Sequence, residues 1–255
     1  MRSGLLLAAA ACGLLLGTAG RGARADDDPA LALLSGGRWP TTVITYGFPG
    51  AGFVWEYGTS FTAGFVPADE TEKALYRKAL QEWAAASGGA VSFVETRPHK
   101  AQLRLAVTTA SMGALPNGTP FRGWTYLPGP GRKAGDTWLQ VSLRTLGYAD
   151  GQRGGWVIRH EIGHQLGLKH PSQGSPRLPV GIDCAEHTVM TYRTDCADPV
   201  PDGWPDGLPS YPHVLGDLDG RAIGRLYAPP ASVVAQSGAT RQPAGPRYGV
   251  PRGEE

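Results

Sequence analysis

Charge is scarce in this sequence: 18% of its 255 residues are charged, and 24 lysines and arginines stand against 22 aspartates and glutamates. Nowhere beyond the first residues do the basic ones cluster, and no basic patch is interleaved with aromatics, so no nucleic-acid partner is expected. Long apolar runs are lacking too. The stretch from Leu5 to Leu16 falls short of the roughly 20 residues that a helix needs to cross a bilayer, so no stable membrane span is expected. There is no array of nonapeptide repeats rich in glycine and aspartate. Sulfur is sparse, with three cysteines and three methionines in the whole chain.

What the ends contain narrows the setting. "MRSGLLLAAAACGLLLGTAGRGARA", residues 1–25, has an early arginine, an apolar centre and a small-x-small finish at Ala23 and Ala25. It reads as a signal peptide cleaved before Asp26, which makes the chain secreted or periplasmic. Lipidation at Cys12 is the alternative, although the apolar run continues past it to Leu16. Cleavage removes Arg2, Arg21 and Arg24 and leaves a net charge of about −1. It also leaves Cys184 and Cys196, an even pair that favours a disulfide in an exported chain. Closure of that small loop contributes roughly 2–3 kcal/mol. Residues 26–37 read as a short polar linker, and Pro229 to Glu255, rich in Pro, Gly, Ser and Arg, as a disordered tail. One domain, residues 38–228, fills the space between.

The densest chemistry lies in "HEIGHQLGLKH", which places three of the six histidines at His160, His164 and His170. On a helix His160 and His164 project from one face, one turn apart, and two imidazoles at that spacing can share one zinc ion. Gly167 can take the left-handed conformation that ends a helix and reverses the chain, returning His170 to the same ion. Three protein ligands leave the fourth zinc position for water, the pattern of a catalytic site. Glu161, adjacent but not needed as a ligand, is placed to take a proton from that water. Ile158, Ile162 and Leu166 form a separate ladder that can dock on a core.

Elsewhere, "WPTTVITYGF" from Trp39 to Phe48 predicts a first strand. "ADETEKALYRKALQEWAAASGG" predicts a helix capped by Asp69 with Glu72 three residues on, stopped by Gly88 and Gly89. Its buried stripe is Leu75, Tyr76, Ala79, Leu80 and Trp83. Strands are expected around Val91–Glu95, Leu103–Val107 and Thr137–Val141.

The spacing of His160, Glu161, His164, Gly167 and His170 matches the long HExxHxxGxxH signature, and the chain resembles the metzincin zinc peptidases of the matrixin and serralysin type. "TVMTY", Thr188 to Tyr192, looks like the methionine turn that this family packs beneath its metal. By that resemblance Met190 is structural. Tyr192 would be a switchable ligand that swings away to hydrogen-bond the developing oxyanion. "GDLDGRAIGRLYA" resembles the family's final helix, with Leu218, Ala222 and Leu226 on one stripe. The implied fold is α+β: a twisted mixed sheet with two long helices, then a smaller C-terminal subdomain holding the methionine turn and the last helix. The calcium-binding roll of secreted serralysins is not expected, since its repeats are missing.

One departure from the family concerns "GWTYLPGPGRKAGDTWL". Where matrixins hold two histidines of a second, structural zinc, this chain has Trp124 and Trp138. Indole nitrogen only donates and cannot ligate, so one zinc is expected, with packed tryptophans bracing the loop. Asp136 matches a calcium-binding aspartate of the same loop, which leaves Ca2+ open as a second ion. Asp195, Asp198, Asp202 and Asp206 sit in the segment expected to wall the substrate pocket. His99, His187 and His213 fall outside every motif and read as surface residues.

The resemblance implies a monomeric zinc endopeptidase acting on protein or peptide substrates. The competing reading is a binding module that keeps the fold and the zinc without proteolysis. The retained Glu161 favours the enzyme.

Overall fold

A computed structural model describes residues 28–114, 118–132, 134–193, 196 and 211–228. The expected signal, the tail and the four aspartates of the pocket wall lie outside the described residues. In chain order the elements are β1 (Val43–Gly47), α1 (Ser60–Ala63), β2 (Phe65–Val66), α2 (Glu70–Ala86), β3 (Ser92–Glu95), β4 (Leu103–Thr108), β5 (Gly123–Thr125), β6 (Gly135–Gln140), α3 (Leu143–Leu146), α4 (Arg153–Leu166) and α5 (Asp217–Tyr227).

The sheet runs β3-β1-β4-β6-β5, with β2 added to β4. The pairs β1–β3, β1–β4 and β4–β6 are parallel, whereas β5 lies antiparallel to β6 at the sheet's edge. This mixed, open sheet with few helices is compatible with a metzincin-like α+β fold. Strand β4 is buried along its whole length, as a strand covered on both faces must be.

Helix α2 follows its sequence closely. Asp69 accepts the Glu72 N–H at 2.9 Å and Glu72 returns a carboxylate oxygen to the Asp69 N–H at 2.8 Å, a reciprocal cap that satisfies two otherwise orphaned donors. Leu75, Tyr76, Ala79, Leu80 and Trp83 are buried, and Gly88 and Gly89 take positive φ just beyond the end. The indole of Trp83 donates to the Arg159 carbonyl at 3.2 Å, joining α2 to α4. On α4 the ladder Ile158, Ile162 and Leu166 is wholly buried, so packing fixes the rotation of the helix and therefore the direction of its polar face.

Three expectations need correcting. The first strand begins at Val43, because Trp39 is drawn out of it: its indole donates to the Gln165 carbonyl at 2.8 Å, at the end of α4. The segment read as a polar linker is part of the core from Asp28 onward. Asp28 caps a 3-10 turn at Pro29–Leu33, and Ala30 and Leu33 are fully buried. The final helix buries Leu218, Ala222, Ile223 and Tyr227, with Leu226 only half-buried at the flank.

Candidate metal centre

Helix α4 ends where the sequence places its glycine. Gly167 sits at φ +109°, and its N–H returns to the carbonyls of Gly163 and His164. A side chain there would also collide with the Gly37 backbone, so the turn needs glycine for space as well as conformation. The chain then reverses and brings His170 back over the helix.

The three imidazoles converge. His170 Nε2 lies 3.1 Å from His160 Nε2 and 3.0 Å from His164 Nε2. The other ring nitrogens of the helical pair are committed: His160 Nδ1–H donates to the Val189 carbonyl and His164 Nδ1–H to the Leu168 carbonyl, each at 2.8 Å. This fixes the tautomer and turns both Nε2 lone pairs inward. Burial, reinforced by the other two rings, holds His160 well below the ordinary imidazole value. Burial lowers His164 to about 4, and burial with the neighbouring His164 lowers His170 to about 3. Neutral rings with lone pairs facing one another repel unless a cation lies between them. These residues therefore fit a zinc ion, and His160, His164 and His170 could hold one.

Glu161 lies beside this cluster and is 6% exposed. Its Oε2 has no hydrogen-bond partner, and burial raises its carboxyl to about 7 against the opposing hydrogen bond with Thr125. The carboxylate packs directly on Gly123 of the edge strand, where any Cβ would overlap it. No local sequence signal points to this contact, because Gly123–Thr125 reads as loop.

The Tyr192 ring stands 4.6 Å from that of His170 and 5.4 Å from that of His160, and burial raises its phenol well above the usual range. Met190 is completely buried, with its sulfur against Gly163 between the two helical histidines. Asp219 of α5, unremarked in the sequence, fixes this turn by accepting the Thr188 hydroxyl and the N–H groups of Val189 and Gly216. A disulfide joins Cys184 to Cys196 with Cα atoms 4.9 Å apart, closing the loop that contains Met190 and Tyr192.

A groove of about 320 Å³ runs past the cluster between β5 and the His170 turn, lined by Trp124, Thr125, Leu127, Glu161, His164 and Tyr192 among others. A smaller cavity on the other side of Glu161 is walled by Phe121, Arg153, Trp156, Val157 and Tyr192.

The two tryptophans of the loop face each other across β5 and β6 with different fates. Trp138 is fully buried among Trp55, Phe61 and Phe65, with ring centroids 4.6, 5.9 and 6.2 Å away. Trp124 leans on Phe61 at 6.3 Å and is 41% exposed. Asp136 is occupied from within the protein: Arg104 grips both its oxygens and the Tyr57 hydroxyl donates to one of them. Both carboxylate oxygens of Asp136 therefore have partners within the protein. His99 stacks on Phe53 and His187 pairs with Asp217, both away from the cluster.

No protein-family model matches the chain. Among curated proteins it is similar to serralysin A of Dickeya chrysanthemi, with 31% identity over 185 residues covering 69% of this chain and 36% of that protein. Serralysin C of the same organism is 31% identical over 143 residues, 52% of this chain and 29% of the relative. Serralysin of Photorhabdus luminescens is 31% identical over 145 residues, 51% and 28% respectively. The chain thus spans about a third of the length of these relatives. These distant similarities support a metzincin, serralysin-like family. Among the described residues no helix is long and apolar enough to cross a membrane.

Proposed function

We propose that this chain is a secreted or periplasmic zinc endopeptidase whose catalytic unit runs from Asp28 to Ala228. The observation that carries this reading is the convergence of three neutral Nε2 atoms beside a buried carboxylate with an unpartnered oxygen. Bound by His160, His164 and His170, zinc supplies Lewis acidity and lowers the pKa of an attacking water.

The protein's own groups do the rest. Glu161, in van der Waals contact with Gly123, takes the proton from the attacking water and delivers it to the leaving amine. Burial raises its carboxyl in the metal-free protein, and a cation on the neighbouring histidines would favour the ionised form that accepts the proton. Tyr192 keeps its phenolic proton and donates it in a hydrogen bond to the oxyanion that develops on the former carbonyl. Strand β5 is the edge of the sheet beside the groove, so the substrate main chain pairs with it in an extended form and draws the scissile bond past Glu161. Met190 supports the helix at Gly163 without touching substrate. The Cys184–Cys196 bridge holds the loop that carries Tyr192.

Casein hydrolysis by the purified mature chain, with and without a chelator and with zinc restored, tests the proposal. Activity that disappears with the metal and returns with it is expected. A folded, zinc-loaded chain that cleaves no protein or peptide would favour the binding-module reading.

A further inference from the structure

The two helical histidines are oriented by carbonyls on separate tethers. The carbonyl that orients His164 belongs to Leu168, and Leu168 is held from far away in sequence. Leu34 forms an antiparallel bridge with it. On either side, the Ser35 N–H donates to the Gly167 carbonyl at 2.9 Å and the Lys169 N–H to the Leu33 carbonyl at 2.7 Å. The Trp39 indole takes the Gln165 carbonyl. The Tyr227 hydroxyl donates to the Leu166 carbonyl at 2.9 Å and accepts the Trp39 N–H at 3.2 Å. Residues 28–39 and Tyr227 therefore satisfy the last carbonyls of α4, the groups that a helix end leaves without intrahelical partners. At its outer end this segment is latched by Asp28, which receives both Arg221 and Arg225 of α5. Leu33 pins its middle in the core with no exposed surface.

We infer that residues 28–39 form a strap that positions the metal ligands, with Asp28 and Leu33 as positioning residues for His164 and His170. The inference rests on the reading of the three histidines as zinc ligands. The physical chain is short. The strap fixes the Gly167–Lys169 turn, the turn fixes the Leu168 carbonyl, and that carbonyl fixes the tautomer and rotation of His164. His170 follows two residues later, so its approach is set by the same turn. Opening the strap leaves α4 in place, since the Ile158, Ile162 and Leu166 ladder holds it to the core, but frees two of the three ligands. Losing the partners that orient metal-bound imidazoles commonly weakens metal binding ten- to a hundredfold.

The test measures zinc affinity by chelator competition on the full mature chain, alongside melting of its zinc-free form. Asp28→Arg sets like charge against Arg221 and Arg225, and Arg221→Glu with Arg225→Glu in the same chain restores the attraction. Hydrogen exchange at the Ser35 and Lys169 amides reports whether the strap has opened, and Leu33→Ala is the second variant if Asp28→Arg leaves those amides protected. The inference expects opened straps to weaken zinc binding about tenfold or more, with recovery in the charge-reversed triple variant. An opened strap that lowers the melting of the zinc-free form while zinc affinity stays within twofold would overturn it, because the segment would then only stabilise the fold. Failure of the unaltered chain to bind zinc would overturn the metal reading itself, and is seen before any variant is made.

Discussion

Asp219 holds His160 in place through a single intervening residue: its carboxylate accepts the Val189 N–H at 2.9 Å, and the Val189 carbonyl accepts the His160 Nδ1–H at 2.8 Å. The same carboxylate takes the Thr188 hydroxyl and the Gly216 N–H, so one buried side chain joins α5, the turn at Met190 and α4. Asp219→Ala strands three donors, the buried Thr188 hydroxyl and Val189 N–H and the half-buried Gly216 N–H, and each buried one costs about 1–3 kcal/mol when left unsatisfied. Allowing for relaxation, a loss of about 3 kcal/mol is expected in urea denaturation of the variant. A loss below about 1 kcal/mol would show that the turn is held by other contacts.

Gly123 touches Glu161 so closely that even a methyl group cannot fit. Gly123→Ala should therefore push the carboxylate from its position and cut kcat/KM by about a hundredfold, within the range that positioned acid–base groups contribute. Zinc content should not change, because the atoms that an added methyl group meets first all belong to Glu161. Parallel loss of zinc and activity would place Gly123 in the fold of the metal centre instead.

Tyr192→Phe removes one hydroxyl and leaves the ring against His170. A hydrogen bond made chiefly in the transition state affects kcat more than KM. The expected drop in kcat is about ten- to a hundredfold with KM within a factor of about three. A change confined to KM would assign the phenol to substrate binding.

The strap's latch carries a pH signature. Burial works against the Asp28 carboxylate, yet the Ala30 N–H and the guanidinium groups of Arg221 and Arg225 outweigh it and lower its pKa below 3.8. A depressed folded pKa means stabilisation that is present above the unfolded value and lost as pH falls through the folded one. Asp28→Asn, which keeps the cap acceptor and removes the charge, should cost about 1 kcal/mol or less at pH 7, since both arginines are partly exposed. The difference from the parent should shrink as the pH is lowered below about 4. A difference that stays constant down to pH 2 would show that the Asp28 charge does not produce it.

What could be read from the sequence was whatever local spacing determines. Helix α2, its reciprocal cap and its buried stripe follow from periodicity over one continuous stretch, and the three histidines follow from helical spacing plus a glycine. The missed features all depend on partners remote in the chain. Gly123–Thr125 is too short to show alternation, and it becomes a strand only because β6 pairs with it. Residues 28–37 read as a linker because their apolar run, Ala30 to Leu34, is only five residues long and follows no strand or helix period. Ala30 and Leu33 are buried by α5 and by the turn after α4, more than 130 positions away. Asp219 looked like one of two acidic residues in the first turn of a helix, and only its contacts with Thr188 and Val189 separate it from Asp217. Asp136 matched a calcium ligand by its place in the loop, but Arg104, on the neighbouring strand, fills its oxygens.

In the proposed mechanism three histidines hold one zinc while Glu161 moves the proton without ligating. Measuring zinc content and peptide hydrolysis on the same preparation of Glu161→Gln tests it most directly. One zinc per chain, with hydrolysis reduced about a thousandfold or more, is the result expected. Retained turnover in the zinc-loaded variant would contradict the account, and loss of the zinc along with the activity would make Glu161 part of the metal's coordination instead.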